Sequence, residues 1–323
     1  MAVLVTGGAG FVGSHLVDRL VAEGEHVIVC DDLSTGRLAN LAQPLGAGKV
    51  TFVYLDVAAP LAAINEALAG ATKERITSIY HLASPASPEA YGAHPWETLA
   101  VNGLGTMSLI DLARERGASM LYCSTSETYG DPLVHPQPES YFGNVNPVGP
   151  RACYDEGKRF GEAAMSVAIR ERGLDGRIVR IFNCYGPRMD IGDGRLIPSF
   201  LGAVQRGEPL PIHGNGRQTR SMTYVDDLVD GLRVVMNTKF STVQPVNLGS
   251  EEENSVNEIA EAVEQMLGTP LARVELPARP EDPQRRRPDI TLARSLGWAP
   301  RTPLAEGLRR TYDWLTSDAL LYV

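Results

Sequence analysis

An apolar strand that runs straight into a glycine turn and then a helix constrains this chain more than any other feature. Val3-Leu4-Val5-Thr6 is followed by Gly7-Gly8-Ala9-Gly10-Phe11-Val12-Gly13, with glycines spaced G-x-x-G-x-x-G. Gly7 and Gly10 let the backbone turn tightly and approach a pyrophosphate. Gly13 lets the new helix pack against the strand, and the helix N-terminus at Phe11 and Val12 faces the phosphates. Asp31 follows a second apolar run, His26–Cys30. A carboxylate there accepts bonds from the adenosine ribose hydroxyls and repels a 2′-phosphate, so the expected cofactor is NAD rather than NADP. Asp56-Val57, after the run Val50–Tyr54, is placed either to bond the adenine or to cap a helix.

The rest of the first half repeats the alternation. Ala2–Thr6, His26–Cys30, Val50–Tyr54, Ile79–Leu82, Met120–Ser124 and Ile178–Phe182 read as strands, several of them apolar throughout, as in strands covered on both faces. Gly13–Glu23 and Thr98–Arg116 read as helices, the second stopped by Gly117. The expected class is α/β: a Rossmann doubly wound parallel sheet. After about residue 183, Gly and Pro become frequent, with helical stretches at Asp226–Met236, Val256–Leu267 and Leu304–Leu315. We therefore expect an NAD-binding domain from 1–182 plus about 222–248. A smaller mixed α/β lobe, 183–221 and 249–323, would bind the substrate over the strand ends, where such sheets place their ligands.

Composition narrows the partners. A net charge of −9 over 323 residues disfavours nucleic acid or an anionic membrane as the main ligand. The four cysteines form no CxxC pair and read as small buried thiols of a reducing compartment. His135 and His213 show no metal spacing, so no metal is expected. No apolar run reaches about 18 residues and no signal-peptide pattern opens the chain, so a soluble cytoplasmic protein is expected.

Tyr154-Asp155-Glu156-Gly157-Lys158 puts a phenol and an ammonium four residues apart on one helix face. A phenol with a pKa of about 10 moves toward working pH when an ammonium and a cationic nicotinamide ring favour its phenolate. It then removes an alcohol proton while hydride leaves for the cofactor, and Lys158 also reaches the nicotinamide ribose. Ser124-Thr125-Ser126 ends the fifth strand, where Thr125 can bond the same substrate oxygen. His81, at the end of an apolar run, reads as a satisfied structural residue.

With the glycine loop, Asn102, Ser124–Ser126 and Tyr154/Lys158 in hand, the chain resembles the extended short-chain dehydrogenase/reductase family of nucleotide-sugar enzymes. Five blocks resemble its UDP-glucuronic acid decarboxylases: His81 to Pro88, Ser124 to Pro132, Gly149 to Arg159, Arg180 to Asn183 with Tyr185 to Met189, and Asp282 to Ile290. The resemblance covers essentially the whole chain. It implies NAD-dependent oxidation at the sugar C4, loss of the carboxylate as CO2 from the β-keto acid, and re-reduction. It also implies a nucleotide-sugar substrate and a homodimer through the helices holding Thr98–Arg116 and Tyr154–Arg172. In that scheme Tyr154 is base and then acid at O4, and Thr125 holds the C4 oxyanion. Glu127 lies near C5 and C6, relaying a proton or disfavouring the adjacent carboxylate. Arg286, of the run Arg285-Arg286-Arg287, clasps the substrate carboxylate or donates to the reacting end of the sugar. Leu82 and Asn102 join the cofactor site. Ser84 and Pro85 shape the loop over the sugar, and Tyr185 lies beside it. Asn183, Arg195 and Arg220 take the diphosphate and ribose, and the edge holding Ile212 and His213 pairs with uracil.

Two rivals share the core. A 4,6-dehydratase carries Thr-Asp-Glu where this chain has Thr125-Ser126-Glu127, and Ser126 cannot supply that carboxylic acid. A 4-epimerase, including one acting on UDP-hexuronates, needs only the Tyr/Lys/NAD core. The Arg286 block and the Ser-Pro-Ala-Ser-Pro segment speak for the decarboxylases. Cys184, where threonine is common, and Met222, in place of an aromatic, depart from the pattern and leave room for some 4-keto pentose to escape.

Overall fold

β1 (Ala2–Thr6) is buried throughout, and its side chains divide between the two cores of the molecule: Ala2 and Leu4 on one face, Val3 and Val5 on the other. This is the period of two acting in a strand covered on both sides. The same division runs through β2 (His26–Asp31), where Val27 and Val29 join one core and Ile28 and Cys30 the other. Each such side chain, fully buried, contributes about 1.5–3 kcal/mol. The computed structural model describes residues 1–239, 241–279 and 283–317.

With β3 (Val50–Tyr54), β4 (Ile76–His81), β5 (Ser119–Thr125), β6 (Gly176–Ile181) and a last strand at Val246–Leu248, these form a seven-stranded parallel sheet. Strand order runs from the Val246–Leu248 strand through β6, β5, β4, β1 and β2 to β3. The order reverses between β1 and β4, and a crevice opens beyond the C-terminal ends of those strands, where open α/β sheets bind ligands. The expected Rossmann sheet is what forms.

α1 (Phe11–Ala22) buries Leu16, Val17 and Leu20 against the Val3/Val5 face. The expected single helix over Thr98–Arg116 is instead three pieces: Pro95–Ala100, a π-type turn at Val101–Gly105, and Thr106–Arg116. The turn carries Asn102 beside the helix Ala152–Arg172, close enough that a Cβ on Gly157 would lie 3.2 Å from the Asn102 Cβ. All four cysteines are buried and free.

Beyond β6 the chain builds three two-stranded pairs over the crevice: Cys184–Tyr185 with Thr223–Tyr224, Leu210–His213 with Arg273–Leu276, and Thr219–Ser221 with Glu253–Ser255. Among the described residues, no helix is long and apolar enough to cross a membrane.

Candidate active site

One cleft of about 910 Å³ collects the candidate residues at the strand ends, near the upper end of ordinary small-molecule sites. Of the residues expected to bind cofactor or substrate or to act on it, all but Asn102, Ile212 and Tyr185 line it.

The glycine loop fits a dinucleotide. Gly7 has φ +74°, and a Cβ there would lie 2.7 Å from the Ala83 nitrogen; on Gly13 it would lie 2.1 Å from the Gly7 carbonyl oxygen. No side chain caps α1 at Gly10, so the N–H groups of its first turn face the cleft as an anion cradle. Asp31 braces the loop: its Oδ2 accepts from the Ala9 N–H at 2.9 Å and its Oδ1 from the Leu33 N–H at 2.9 Å. Burial raises this carboxyl above its usual range, and the two backbone bonds oppose that rise. Each oxygen retains a lone pair for a ribose hydroxyl. Asp56 closes a local turn by accepting from the Ala58 N–H while still lining the cleft beside Val57.

Tyr154 and Lys158 rise from the first turns of the Ala152–Arg172 helix, both buried. Thr125, the last residue of β5, shares a hydrogen bond with the Tyr154 hydroxyl. The Tyr91 ring stacks on Tyr154 at 5.1 Å with planes 9° apart. The expected lowering of the phenol is not what the chain alone produces: burial holds Tyr154 above the ordinary phenol range, with only partial opposition from Thr125 and Arg195. The Lys158 ammonium donates to the Cys123 carbonyl at 2.9 Å and lies 5.9 Å from the centre of the Tyr154 ring. Burial lowers its pKa to about 8.

Facing this group is a buried charge cluster. Glu127 follows Thr125 on a short 3-10 turn, its N–H donating to the Thr125 hydroxyl. Its carboxylate takes both terminal nitrogens of Arg286, one at 2.8 Å, and a third bond from Arg151. Burial alone would raise the Glu127 carboxyl, but the two guanidiniums outweigh it and hold it below the usual range. Of the three successive arginines, Arg285 is exposed, Arg287 half-buried and Arg286 buried. Gln137 sets that choice by clamping the segment: its N–H donates to the Arg287 carbonyl, its Oε1 accepts from the Arg287 N–H, and its carbonyl accepts from the Asp289 N–H. Asp282, the first residue of that sequence block, lies outside the described residues.

Three expectations are corrected. Tyr185 does not reach the sugar end: it is fully buried in the core, and its hydroxyl donates to the Leu304 carbonyl at 3.2 Å. Ile212 does not offer its backbone to a base. The Leu210 and Gly214 N–H groups donate to the neighbouring strand, so by parallel-ladder alternation Ile212 faces that strand too, and Pro211 and His213 face the cleft. Asn102 stands behind the cleft wall, donating to the Ser84 hydroxyl at 2.9 Å and the Thr98 carbonyl at 2.8 Å. Ser84 and Pro85 line the cleft, as do Leu82, Cys184 and Met222. On the far side, Asn183 has a buried side-chain oxygen with no partner in the fold. Arg195 pairs with Asp193, and Arg220 donates to the carbonyls of Thr219 and Pro283. His81 is satisfied, bonded to Thr6 at 2.8 Å and Thr106 at 3.1 Å.

Sequence reasoning missed Arg151, Asp155, Gln137 and Tyr91. Arg151 carries a signal in hindsight: a cation at a helix N-terminus opposes the helix dipole, which points to a partner elsewhere. Gln137 and Tyr91 carry none, since their roles depend on loops meeting across the cleft.

A doubly wound sheet with a glycine cradle and a Tyr/Lys pair over the strand ends defines a nicotinamide-dependent enzyme of the short-chain dehydrogenase type. Residues 3–249 match the NAD dependent epimerase/dehydratase family, and the chain belongs to it. It is 44% identical over 317 residues to UDP-glucuronic acid decarboxylase 1 of Xenopus tropicalis, covering 98% of this chain and 72% of that protein. It is 45% identical over 310 residues to UDP-glucuronic acid decarboxylase 5 of Arabidopsis thaliana, covering 95% and 87%. Among solved structures it resembles UDP-glucuronic acid 4-epimerase from Bacillus cereus in complex with UDP-glucuronic acid and NAD, with a TM-score of 0.83, 26% identity, and coverage of 98% and 99%.

Proposed function

We propose that this chain converts UDP-glucuronic acid to UDP-xylose and CO2. One observation carries the reading. Within a single cleft, an alcohol-deprotonating group (Tyr154, Lys158, Thr125) faces a buried carboxylate–guanidinium group (Glu127, Arg286, Arg151). Around that cleft the chain matches a UDP-glucuronic acid decarboxylase over nearly its whole length.

Tyr154 takes the proton from O4 of the sugar, and Thr125 holds the same oxygen. Gly7–Gly13 and Asp31 would hold NAD, which would supply a hydride acceptor and donor at C4 and a cationic ring that favours phenolate. With a ketone at C4, the C6 carboxylate is β to a carbonyl. The C5–C6 bond then breaks, CO2 leaves, and the bond's electron pair becomes an enolate. Thr125 and Tyr154 donate hydrogen bonds to its oxygen, where the charge grows. One proton taken up from solvent water is added at C5, balancing the lost carboxylate, and Tyr154 returns its proton to O4. Arg286 keeps further N–H donors for the departing carboxylate while it holds Glu127. Asn183, Arg195 and Arg220 receive the diphosphate and ribose, and the strand edge at Pro211 and His213 receives the base. Cys184 and Met222 narrow the wall less than threonine and an aromatic, which supports some escape of the 4-keto pentose.

The same reading keeps the division into an NAD-binding domain, 1–182 plus about 222–248, and a sugar-nucleotide lobe, 183–221 and 249–323. It also takes the protein as a cytoplasmic homodimer. Incubation with UDP-glucuronate and NAD tests it: CO2 and UDP-xylose are expected. Inversion at C4 without CO2 would establish the 4-epimerase instead.

A further inference from the structure

Asp155 is the one acidic member of the buried cluster that the reaction above leaves without a task. It sits next to Tyr154 on the first turn of the Ala152–Arg172 helix and is almost fully buried. Its Oδ1 has no hydrogen-bond partner, and its Oδ2 lies 3.8 Å from Arg151 Nε, too far for a normal bond. Arg151 instead gives its terminal nitrogen to Glu127. The titratable and charged groups around Asp155 are Glu127 from the 3-10 turn, Arg151 from the helix start, Arg286 from the 283–290 segment, Tyr91 from the helix Pro88–Ala93, and Cys153, Tyr154 and Glu156 from its own helix.

Charge counting over Asp155, Glu127, Arg286 and Arg151 gives the consequence, with Arg220, whose charge also reaches Glu127, matched by the diphosphate. Glu127, Arg286 and Arg151 sum to +1. An ionised Asp155 brings the set to zero and a neutral one leaves it at +1. A sugar carboxylate entering beside Arg286 adds −1. It meets a balanced cluster when Asp155 is neutral and leaves a surplus buried anion when Asp155 is charged. An unbalanced buried charge is costly.

We propose that Asp155 is a charge-balancing positioning residue: the acidic sugar is admitted with Asp155 in its protonated form, so that binding of the uronate is coupled to uptake of one proton. This rests on the decarboxylase reading and deepens it. Asp155 never touches the sugar; it acts through Arg151 and Glu127. Its own setting agrees in direction, because burial and the nearby Glu127 raise its carboxyl to about 7 despite the two arginines. Affinity for the uronate therefore falls as pH rises above about 7, approaching tenfold per unit. Binding of UDP-glucose, which carries the same diphosphate and no carboxylate, lacks that component.

Calorimetric titration of the NAD-loaded protein with UDP-glucuronate and with UDP-glucose tests this, from about pH 6 to about pH 8.5 in buffers of differing ionisation enthalpy. The expected result is an excess proton uptake for the uronate over UDP-glucose that is small near pH 6 and rises toward about one near pH 8.5. In Asp155→Asn, that excess should vanish and the uronate affinity should become flat with pH. Equal proton uptake for the two ligands in the unmodified protein overturns the proposal without recourse to any variant. So does an unchanged pH dependence in Asp155→Asn. If UDP-glucuronate binds no better than UDP-glucose even near pH 6, the decarboxylase reading itself fails.

Discussion

At the scale of single residues, the site is organised by what burial does to charge. Tyr154 is pushed up by its surroundings, Lys158 down to about 8, and Glu127 is pulled down only because two arginines close on it. The Glu127 case has a stability consequence whose sign follows from linkage. A carboxyl lowered on folding stabilises the folded chain at pH above its unfolded value of about 4.3, and that contribution disappears as pH falls through the lowered folded value. Glu127→Gln leaves the buried Arg286 and the half-buried Arg151 without their shared anion, a class of change that costs about 3–5 kcal/mol at neutral pH. The difference in denaturation midpoint between Glu127→Gln and the unmodified protein should therefore be large at pH 7 and shrink as pH is lowered below about 4. A gap that stayed constant with pH would show that Glu127 is not held as a carboxylate by its arginines.

At the scale of elements, the glycine turn makes the sharpest prediction. Gly13→Ala places a methyl group 2.1 Å from the Gly7 carbonyl oxygen, so either α1 or the turn must shift and the first-turn N–H groups lose their aim. NAD affinity should fall at least tenfold while circular dichroism stays close to that of the unmodified protein; fluorescence titration with NADH checks it, and unaltered affinity would refute the cradle. This element was legible in the sequence because strand, turn and helix are adjacent in the chain. So were β1 and β3, whose apolar runs match the observed strands, and the Val256–Leu267 helix, whose ends are marked by a capping box at Ser255 and by Gly268. The π-type turn at Val101–Gly105 was not legible, because a helical pattern continues through it and its close approach to Gly157 is a contact between segments far apart in the chain. Tyr185 was misplaced for a related reason: it stands two residues from Asn183, a spacing that shares one face in a regular strand, and only contacts with the distant Leu304–Thr316 helix turn its ring into the core. The selection of Arg286 among three arginines depends on Gln137, about 150 residues away in the chain, and no local pattern encodes it.

At the scale of the whole molecule, the helix bearing Tyr154 and Lys158 has a second face. Phe160 and Val167 are about half exposed there, and on the neighbouring Val101–Gly105 turn and Thr106–Arg116 helix Leu104 is 61% exposed and Met107 48%. These belong to one surface: a Cβ on Gly103 would lie 3.8 Å from the Phe160 ring, and the Thr106–Arg116 and Ala152–Arg172 helices pack side by side. Contiguous apolar side chains on two adjacent helices suit an isologous contact with a second copy, in which each helix pair covers the other. A contact of standard size buries about 800 Å² per partner, within reach of two helices of this length. The proposed homodimer then also fixes the outer side of the helix whose inner side carries the proton-transfer pair. Light scattering should report a dimer at about 10 μM, and Leu104→Glu combined with Phe160→Glu should report a monomer, because two carboxylates per subunit would have to be buried at the seam. The monomer should keep its secondary structure yet bind NAD more weakly, since Lys158 lies two residues from the disrupted face. A wild-type monomer at that concentration would refute the dimer, and a monomeric variant with undiminished NAD affinity would show that the helix holds its catalytic face without help from a partner.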